Sequence, residues 1–481
     1  MRVGQTSILL TVSKYFGSFI GFLTTIYFAR TLGAEILGYY SLILIVANWS
    51  SLFGKVGISS AINKRISETE ERSAYYSAGI LLALGLSGIL VVGIILLRDS
   101  IDSYVGVTAW MFIAVLAPLS ILYSIISASL KGERRVHLVA FLTPTQTIGR
   151  SLIQIGLVVV GYGLTGMIFG YIAGLVLAAA LGLWFISLNF EMPSKHNFQQ
   201  IYSFAKFSWL GNLKGRSFND VDVLVLGALV SPQLVGIYSA AWGITNFIGI
   251  FGSSIRNTLF PELSYADSTQ QNESLSRLVS DSLTYSGLVA IPGVFGSLIV
   301  ADRLLRIYGG EFTRGVAVLS LLVLAMLIYD YQNQFLNGLN AVDRPDIAFR
   351  VNAMFIVVNL VLNVALVYAF GWIGAAVATV IAASLGLVVS FGYLRTIIEF
   401  DVPISEVGRQ LTAAVAMTLV VRATRLGIES TVSNIHNTMF VVSLVMMGAG
   451  VYFAVLFAIS SQFRTTVRNN SPISLPSVFY Y

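Results

Sequence analysis

Residues 79–97 read GILLALGLSGILVVGIILL. The run holds no charged residue and no alternation of polar with apolar positions. A strand with lipid on one face alternates at every residue, and barrel segments are only about 10 residues long. A helix that crosses the hydrocarbon needs roughly 20 apolar residues in a row. It also closes all its backbone hydrogen bonds within itself, as lipid demands. The run therefore predicts a membrane-crossing helix, and much of the chain is written the same way.

Of 481 residues, 56% are hydrophobic and 11% charged, and the mean hydropathy is +0.80. A soluble domain carries about 25% charged residues, so these polar groups cannot cover a globule in water. About fourteen apolar segments follow one another, at 7–29, 38–60, 75–97, 107–129, 138–160, 164–188, 204–229, 235–258, 278–300, 315–337, 348–369, 372–394, 405–423 and 437–460. The expected fold class is an all-α integral membrane protein with about 14 transmembrane helices. The first segment is too long for the apolar core of a cleaved signal peptide, and no small-residue cleavage pattern follows it.

Cysteine is absent, which excludes disulfides, thiolate chemistry and cysteine-bound metals. His137, His196 and His436 lie far apart at span edges, so neither a metal site nor a cofactor is expected. The net charge of +6 is spread over many short loops rather than gathered for nucleic acid. The positive-inside rule accounts for it. With a cytoplasmic N-terminus, the basic stretches 64–72 and 131–135 both fall inside, and an even number of spans brings the C-terminus back to that side. Arg303, Arg306 and Arg314 form the one outer loop that disagrees. The expected location is the cell membrane with both termini cytoplasmic.

The chain repeats itself. YFGSFIG at 15–21 returns as WLGNLKG at 209–215. Gly21 matches Gly215 and Leu32-Gly33 matches Leu226-Gly227, each at an offset of 194. Beyond the turn the offset becomes 198, where Gly38-Tyr39-Tyr40-Ser41 matches Gly236-Ile237-Tyr238-Ser239 and Phe53-Gly54 matches Phe251-Gly252. Weaker pairs continue the series: Arg98 with Arg303, Glu133-Arg134 with Asp343-Arg344, and Gly163 to Gly166 with Gly371 to Gly374. The series predicts two copies of a six-helix unit. An even number of spans per copy gives both the same orientation, related by an axis along the membrane normal. The division expected is a lobe at 1–200, a lobe at 201–398, and two extra helices with a tail at 399–481, around a central cavity. The glycines four apart in each copy also fit small-residue helix packing.

Three stretches carry a resemblance: FARTLGAEILGYY at 28–40, GKVG at 54–57 with NKR at 63–65, and DVLVLG at 222–227 with VGIY at 235–238. In their order and in the fourteen-span layout the chain resembles the polysaccharide and oligosaccharide flippases of the MATE-related MOP superfamily. The resemblance implies transport of a glycan linked to a polyprenyl or dolichyl (pyro)phosphate, from the cytoplasmic to the outer leaflet, by alternating access. Its partners would be that anionic lipid-linked oligosaccharide, membrane lipids and glycan-assembly enzymes, and a monomer is expected. The lipid-linked peptidoglycan-precursor branch often carries several arginines in its first two helices. This chain has Lys14, Arg30 and Lys55 there, which favours the general oligosaccharide branch.

Ionisable groups inside a span cost about 2.5–3.5 kcal/mol each on insertion scales, so they persist where they meet water, a partner or a substrate. Lys14, Lys55, Arg150, Lys214 and Arg216 stand inside apolar segments and are the candidate cavity cations for a phosphate group. Arg216 and Asp220 are four apart, so an ion pair along the helix is the competing reading. Gln146, Arg150 and Gln154 share a face of the fifth span, Asn352, Asn359 and Asn363 of the eleventh, and Asp330, Asn333 (or Gln334) and Asn337 of the tenth. These amides would line a wet cavity and meet sugar hydroxyls, or bond helix to helix. Asp222 and Asp330 are the candidates for coupling to a proton or sodium ion.

An enzyme is not expected. A membrane glycosyltransferase or polymerase needs a catalytic acid pair or a large folded loop. Asp99 and Asp102 lie in an outer loop with neither around them, and the glycines at 161, 163 and 166 imitate a dinucleotide fingerprint without a strand. The stronger alternative is a MATE-like cation-coupled exporter, which would want acids and aromatics in its cavity rather than cations.

Overall fold

The computed structural model describes the backbone of residues 3–55, 57–431 and 436–470, with side chains except at 3–15, 206–212, 214, 215, 272, 469 and 470. Among the described residues the chain is helical with no strand. The first half comprises α1 (Val3–Lys55), α2 (Ile58–Glu68), α3 (Arg72–Leu96), the short α4 (Arg98–Val105), α5 (Trp110–Gly132), α6 (Val136–Pro144), a π-helical turn (Thr145–Gly149), α7 (Arg150–Val159) and α8 (Gly163–Phe185). Then follow α9 (Lys195–Leu229), α10 (Pro232–Ser268), α11 (Asn272–Arg306), a 3-10 segment (Gly310–Gly315), α12 (Val316–Ala341), α13 (Pro345–Phe370) and α14 (Trp372–Arg395). The last helices among the described residues are α15 (Ile404–Thr431), α16 (Asn437–Ile459) and α17 (Ser461–Asn470).

Eleven helical stretches among the described residues are long and apolar enough to cross a membrane, and the chain is a multi-span membrane protein. The helices do not by themselves give the expected fourteen, for three physical reasons. The first two expected segments merge in α1, whose only non-helical residue is Gly33 (φ 82, ψ 175). Glycine alone takes such a backbone without a Cβ clash. The fifth expected segment is divided by the π turn after Pro144, so neither α6 nor α7 has the length. The seventh, in α9, carries Lys206, Lys214, Arg216, Asp220 and Asp222, too many charges for an apolar span.

Lipid as solvent explains what faces out. Leu84, Ile89 and Leu96 on α3 are exposed, as are Val357, Val361 and Tyr368 on α13. In water such faces would drive association.

By backbone proximity the chain forms two compact units, residues 1–243 with 356–379, and residues 244–355 with 380–481. In the first, Ile58, Ile62 and Ile66 of α2 pack with Tyr75, Ile121, Ile125 and Ile201. In the second, Leu275, Val279 and Leu283 of α11 pack with Phe335, Leu339 and Leu394. A further cluster joins Ile291 and Val300 to Met417, Phe440 and Tyr452 of the last two long helices.

The repeat is visible in the backbone. The turn after α5 puts Arg134 at φ 62, and the turn after α12 puts Asp343 at φ 56. Each is closed by a six-to-one bond, Arg135 N to Leu130 O and Arg344 N to Leu339 O, both 2.9 Å. Both turns thus show the six-to-one bond of a Schellman helix end, at corresponding places in the two halves. Gly163, the first residue of α8, and its match Gly371, just before α14, both have positive φ.

Candidate functional site

A cavity of about 400 Å³ opens in the first unit among α1, α2, α5, α8 and the π turn. Lys55 lines it, at the last residue of α1. The chain breaks there because Gly57 takes a left-handed conformation (φ 76) before α2 begins. A helix C-terminus favours a cation, and broken membrane helices occur where they line cavities. Among the described residues Lys55 has no ion-pair partner, and Arg216 is a second positive charge acting on it.

Opposite Lys55, α5 presents Ser120, Ser124, Ser127 and then Lys131, at spacings of four, three and four. Ser59, Ser60 and Asn63 of α2 face them, and Ser59 and Ser124 share a hydrogen bond of 2.8 Å. Gln146, Tyr123 and Tyr171 complete the polar wall; no carboxylate is among the lining residues. Sequence reasoning singled out Lys55 and Gln146 and missed the serines. Their signal was present in the spacing on α5, but serine is so common in spans that spacing alone does not mark a cavity.

The other candidate residues of this unit lie around it. Arg150 stacks its guanidinium over the ring of Tyr171, a residue of the cavity wall, 4.9 Å from the centroid, and is not itself among the lining residues. Its Nε has no hydrogen-bond partner among the described residues. α8 reaches it through glycines. A β-carbon at Gly174 would stand 2.6 Å from Arg150 Cβ, and one at Gly170 would stand 2.4 Å from Gln154 Cγ. Gln154 is buried, and its amide donates to Tyr40 Oη at 2.9 Å and to the Met167 carbonyl. The expected pair of Arg216 with Asp220 forms, at 3.2 Å. The side chains of Lys14 and Lys214 lie outside the described residues.

Asp222 is buried in a polar cluster of the same unit. Its carboxylate accepts from Tyr238 Oη, from Thr379 Oγ1 at 2.7 Å and from Asn363 Nδ2 at 2.9 Å. Asn359 Nδ2 donates to Thr379 Oγ1 at 3.4 Å. The amide oxygens of Asn359 and Asn363 are buried with no partner among the described residues.

In the second unit α12 is the polar helix. Asp330 is buried, and its Oδ2 has no partner among the described residues. A β-carbon at Gly252 would stand 2.4 Å from the Asp330 carboxyl. The repeat-matched glycine, Gly54, meets Ile121 in the same way in the first unit. Asp330 thus occupies the place of an apolar residue in the other copy. Asn333 is buried, and Asn337 Nδ2 donates to Arg256 O at 3.4 Å. Asn352 is half-buried with an unpartnered amide oxygen among the described residues.

Residues 27–317 match the family described as "Polysaccharide biosynthesis protein". A Haloferax volcanii protein named probable flippase AglR is 30% identical over 97% of this chain and 98% of its own length. A second from that organism, probable low-salt glycan biosynthesis flippase Agl15, is 29% identical over 85% of this chain and 87% of its own. Among solved structures, lipid II flippase MurJ in an inward closed conformation matches with a TM-score of 0.79, over 96% of this chain and 100% of that one. At 17% identity that likeness shows a shared fold. The family match spans more than half of the chain and the 30% identity holds along nearly all of it, so the chain belongs to the polysaccharide biosynthesis protein family of multi-span membrane proteins.

Proposed function

We propose that the chain is a flippase. It moves an oligosaccharide linked to a polyprenyl or dolichyl (pyro)phosphate from the cytoplasmic to the outer leaflet by alternating access, for cell-surface polysaccharide or glycoprotein glycans. The observation that carries this reading is Lys55, unpaired among the described residues, in the wall of a cavity lined by hydroxyls and amides without a carboxylate. An anionic head group leaving water needs donors and positive charge, and a sugar needs groups that both donate and accept. The relatives named as flippases support it. A cation exporter would place acids in that wall, so it fits less well.

On this reading the chain works as a monomeric transporter rather than a catalyst, in the cell membrane with both termini cytoplasmic, beside the enzymes that load its carrier. The lobes at 1–200 and 201–398 alternate, and 399–481 is an appendage. Lys14, Lys55, Arg150, Lys214 and Arg216 supply the positive field, and Gln146 with the asparagines supplies amides. Asp222 is the stronger candidate for ion coupling, with Asp330 second. Two orphaned amide oxygens beside a carboxylate fit a monovalent cation, which Asp222, Thr379, Asn359 and Asn363 would hold. Bound there, the ion would offset the buried negative charge.

The test is a reconstituted vesicle assay that follows a labelled lipid-linked saccharide to the opposite leaflet. Neutralising Lys14, Lys55 and Arg150 together is expected to leave membrane insertion intact and to slow translocation at least about tenfold, since each charge-assisted hydrogen bond contributes about 1.5–3 kcal/mol. Undiminished translocation by the triple variant defeats the reading.

A further inference from the structure

Serine and threonine hydroxyls in the spans of this protein mostly return to their own helix. Thr24 donates to Ile20 O at 2.8 Å, Ser41 to Leu37 O at 2.8 Å, and Ser129 to Ile125 O at 2.9 Å. That habit satisfies a hydroxyl where no water is at hand. Ser60, Ser120 and Ser127 depart from it. Among the described residues none of the three hydroxyls has a hydrogen-bond partner, nor has the Asn63 side-chain amide, and all four line the 400 Å³ cavity. Ser129, two residues from Ser127, points the other way and back-bonds. Two of the open hydroxyls, those of Ser120 and Ser127, therefore belong to one face of α5, and the third, Ser60, stands with the open amide of Asn63 on α2.

Polar groups left open in a membrane protein are costly unless something meets them. Serine is both donor and acceptor, and it is small enough to leave the cavity its volume. A wall of serines matches a ligand whose own surface is a run of hydroxyls. Tyr123 and Tyr171 add aromatic rings to the same wall, and one face of Tyr171 is covered by Arg150. The volume, near the lower end for small-molecule sites, holds about one or two sugar rings rather than a whole oligosaccharide.

We infer that the Ser120–Ser124–Ser127 face of α5, with Ser60 and Asn63 of α2, is a saccharide subsite that takes the sugar attached next to the carrier phosphate, while Lys55 meets the anionic group. The inference rests on the flippase reading and adds to it a specificity element: the chain selects its cargo by the phosphate-proximal sugar, and rings further out are not read in this cavity.

The test uses the full chain in lipid nanodiscs and two probes, polyprenyl phosphate carrying a single hexose and the bare polyprenyl phosphate. The wild type is expected to bind the hexosyl form about tenfold more tightly, as two or three added hydrogen bonds imply. The double variant Ser120→Ala with Ser127→Ala loses that preference and keeps both its affinity for the bare lipid and its melting temperature. Asn63→Ala, on the facing helix, is the independent variant and weakens the hexosyl form selectively. Lys55→Gln weakens both probes. If the serine variant keeps the full preference, the subsite is wrong and the flippase reading survives. If the wild type binds both probes equally, the subsite is wrong as well. If it binds neither, the flippase reading falls with it.

Discussion

Gly38 and Gly236 meet backbone to backbone within the first unit. A β-carbon at Gly38 would lie 1.8 Å from the carbonyl oxygen of Pro232, and one at Gly236 would lie 1.9 Å from that of Ala34. The contact is reciprocal, because residues 34 and 38 are matched in the repeat by 232 and 236. Each copy offers the same patch to the other, as at a two-fold interface between subunits. Tyr104 reinforces this end of the unit by donating to Leu224 O at 2.7 Å. Burial raises that phenol above its ordinary range, so it stays a donor.

Alanine at either glycine has to part the two helices, because the atom it meets is backbone and cannot turn aside. Gly38→Ala and Gly236→Ala should each cost about 1–3 kcal/mol or more, the usual range for overpacking. The double variant should cost clearly less than the sum, since the first methyl already opens the gap. Thermal unfolding of the purified single and double variants measures this. Strict additivity would mean the two glycines do not share a contact.

The glycines of α8 give a sharper contrast. Gly174→Ala brings a methyl to 2.6 Å from Arg150 Cβ and 2.9 Å from Gln146 O. It should lower stability by about 1–3 kcal/mol and disturb the cavity wall, so translocation falls as well. Gly156, on α7, has open space where a β-carbon would stand, with nothing within 4 Å. Gly156→Ala should be neutral or gain up to about 1 kcal/mol from helix propensity. Equal losses at both positions would remove the packing argument.

Arg425 ties α15 to α11. Its guanidinium donates to both oxygens of Asp302, at 2.8 and 2.7 Å, and its Nε donates to Glu429 at 2.8 Å. Arg303 reaches the same Glu429 at 2.9 Å, and Asn437 of α16 bonds Arg303 O at 2.9 Å. Paired charges of this kind are planar and two-pronged, though partial exposure weakens them. Arg425→Gln should cost about 1–3 kcal/mol in a thermal melt. Arg425→Lys should recover little, because an ammonium cannot form the fork. Full recovery by lysine would show that charge alone holds the helices.

If Asp222 couples transport to an ion, Asp222→Asn removes the dependence on a sodium or proton gradient and leaves gradient-free exchange in place. Vesicles with and without an imposed gradient separate the two rates. Thr379→Val, which takes a hydroxyl from the same carboxylate, should weaken the dependence partway. A variant still driven as strongly as the wild type would exclude Asp222 from coupling.

Much of the fold was open to reading from the residues. The absence of alternation at 79–97 and the low charge required helices in lipid, because unpaired backbone groups and a bare polar surface are both too costly there. The matched pairs Gly38 with Gly236 and Glu133-Arg134 with Asp343-Arg344 disclosed the duplication, and the backbone angles of the turns at Arg134 and Asp343 repeat it one residue away from that second pairing. The span count was less legible. A helix break at Gly33 and a π turn after Pro144 are set by local backbone geometry that hydropathy does not register.

By itself the sequence determined the solvent, the helical class and the doubling, since all three follow from composition and period. Only the tertiary structure decided which polar side chains meet a cavity. Gln146 and Gln154 read as one stripe, yet the π turn at 145–149 interrupts the helical period between them. One lines the cavity, and the other is buried against Tyr40 and Met167. Likewise Ser127 and Ser129 are the same residue two positions apart, yet Ser129 is buried and bonds back to Ile125 O while Ser127 lines the cavity with its hydroxyl open.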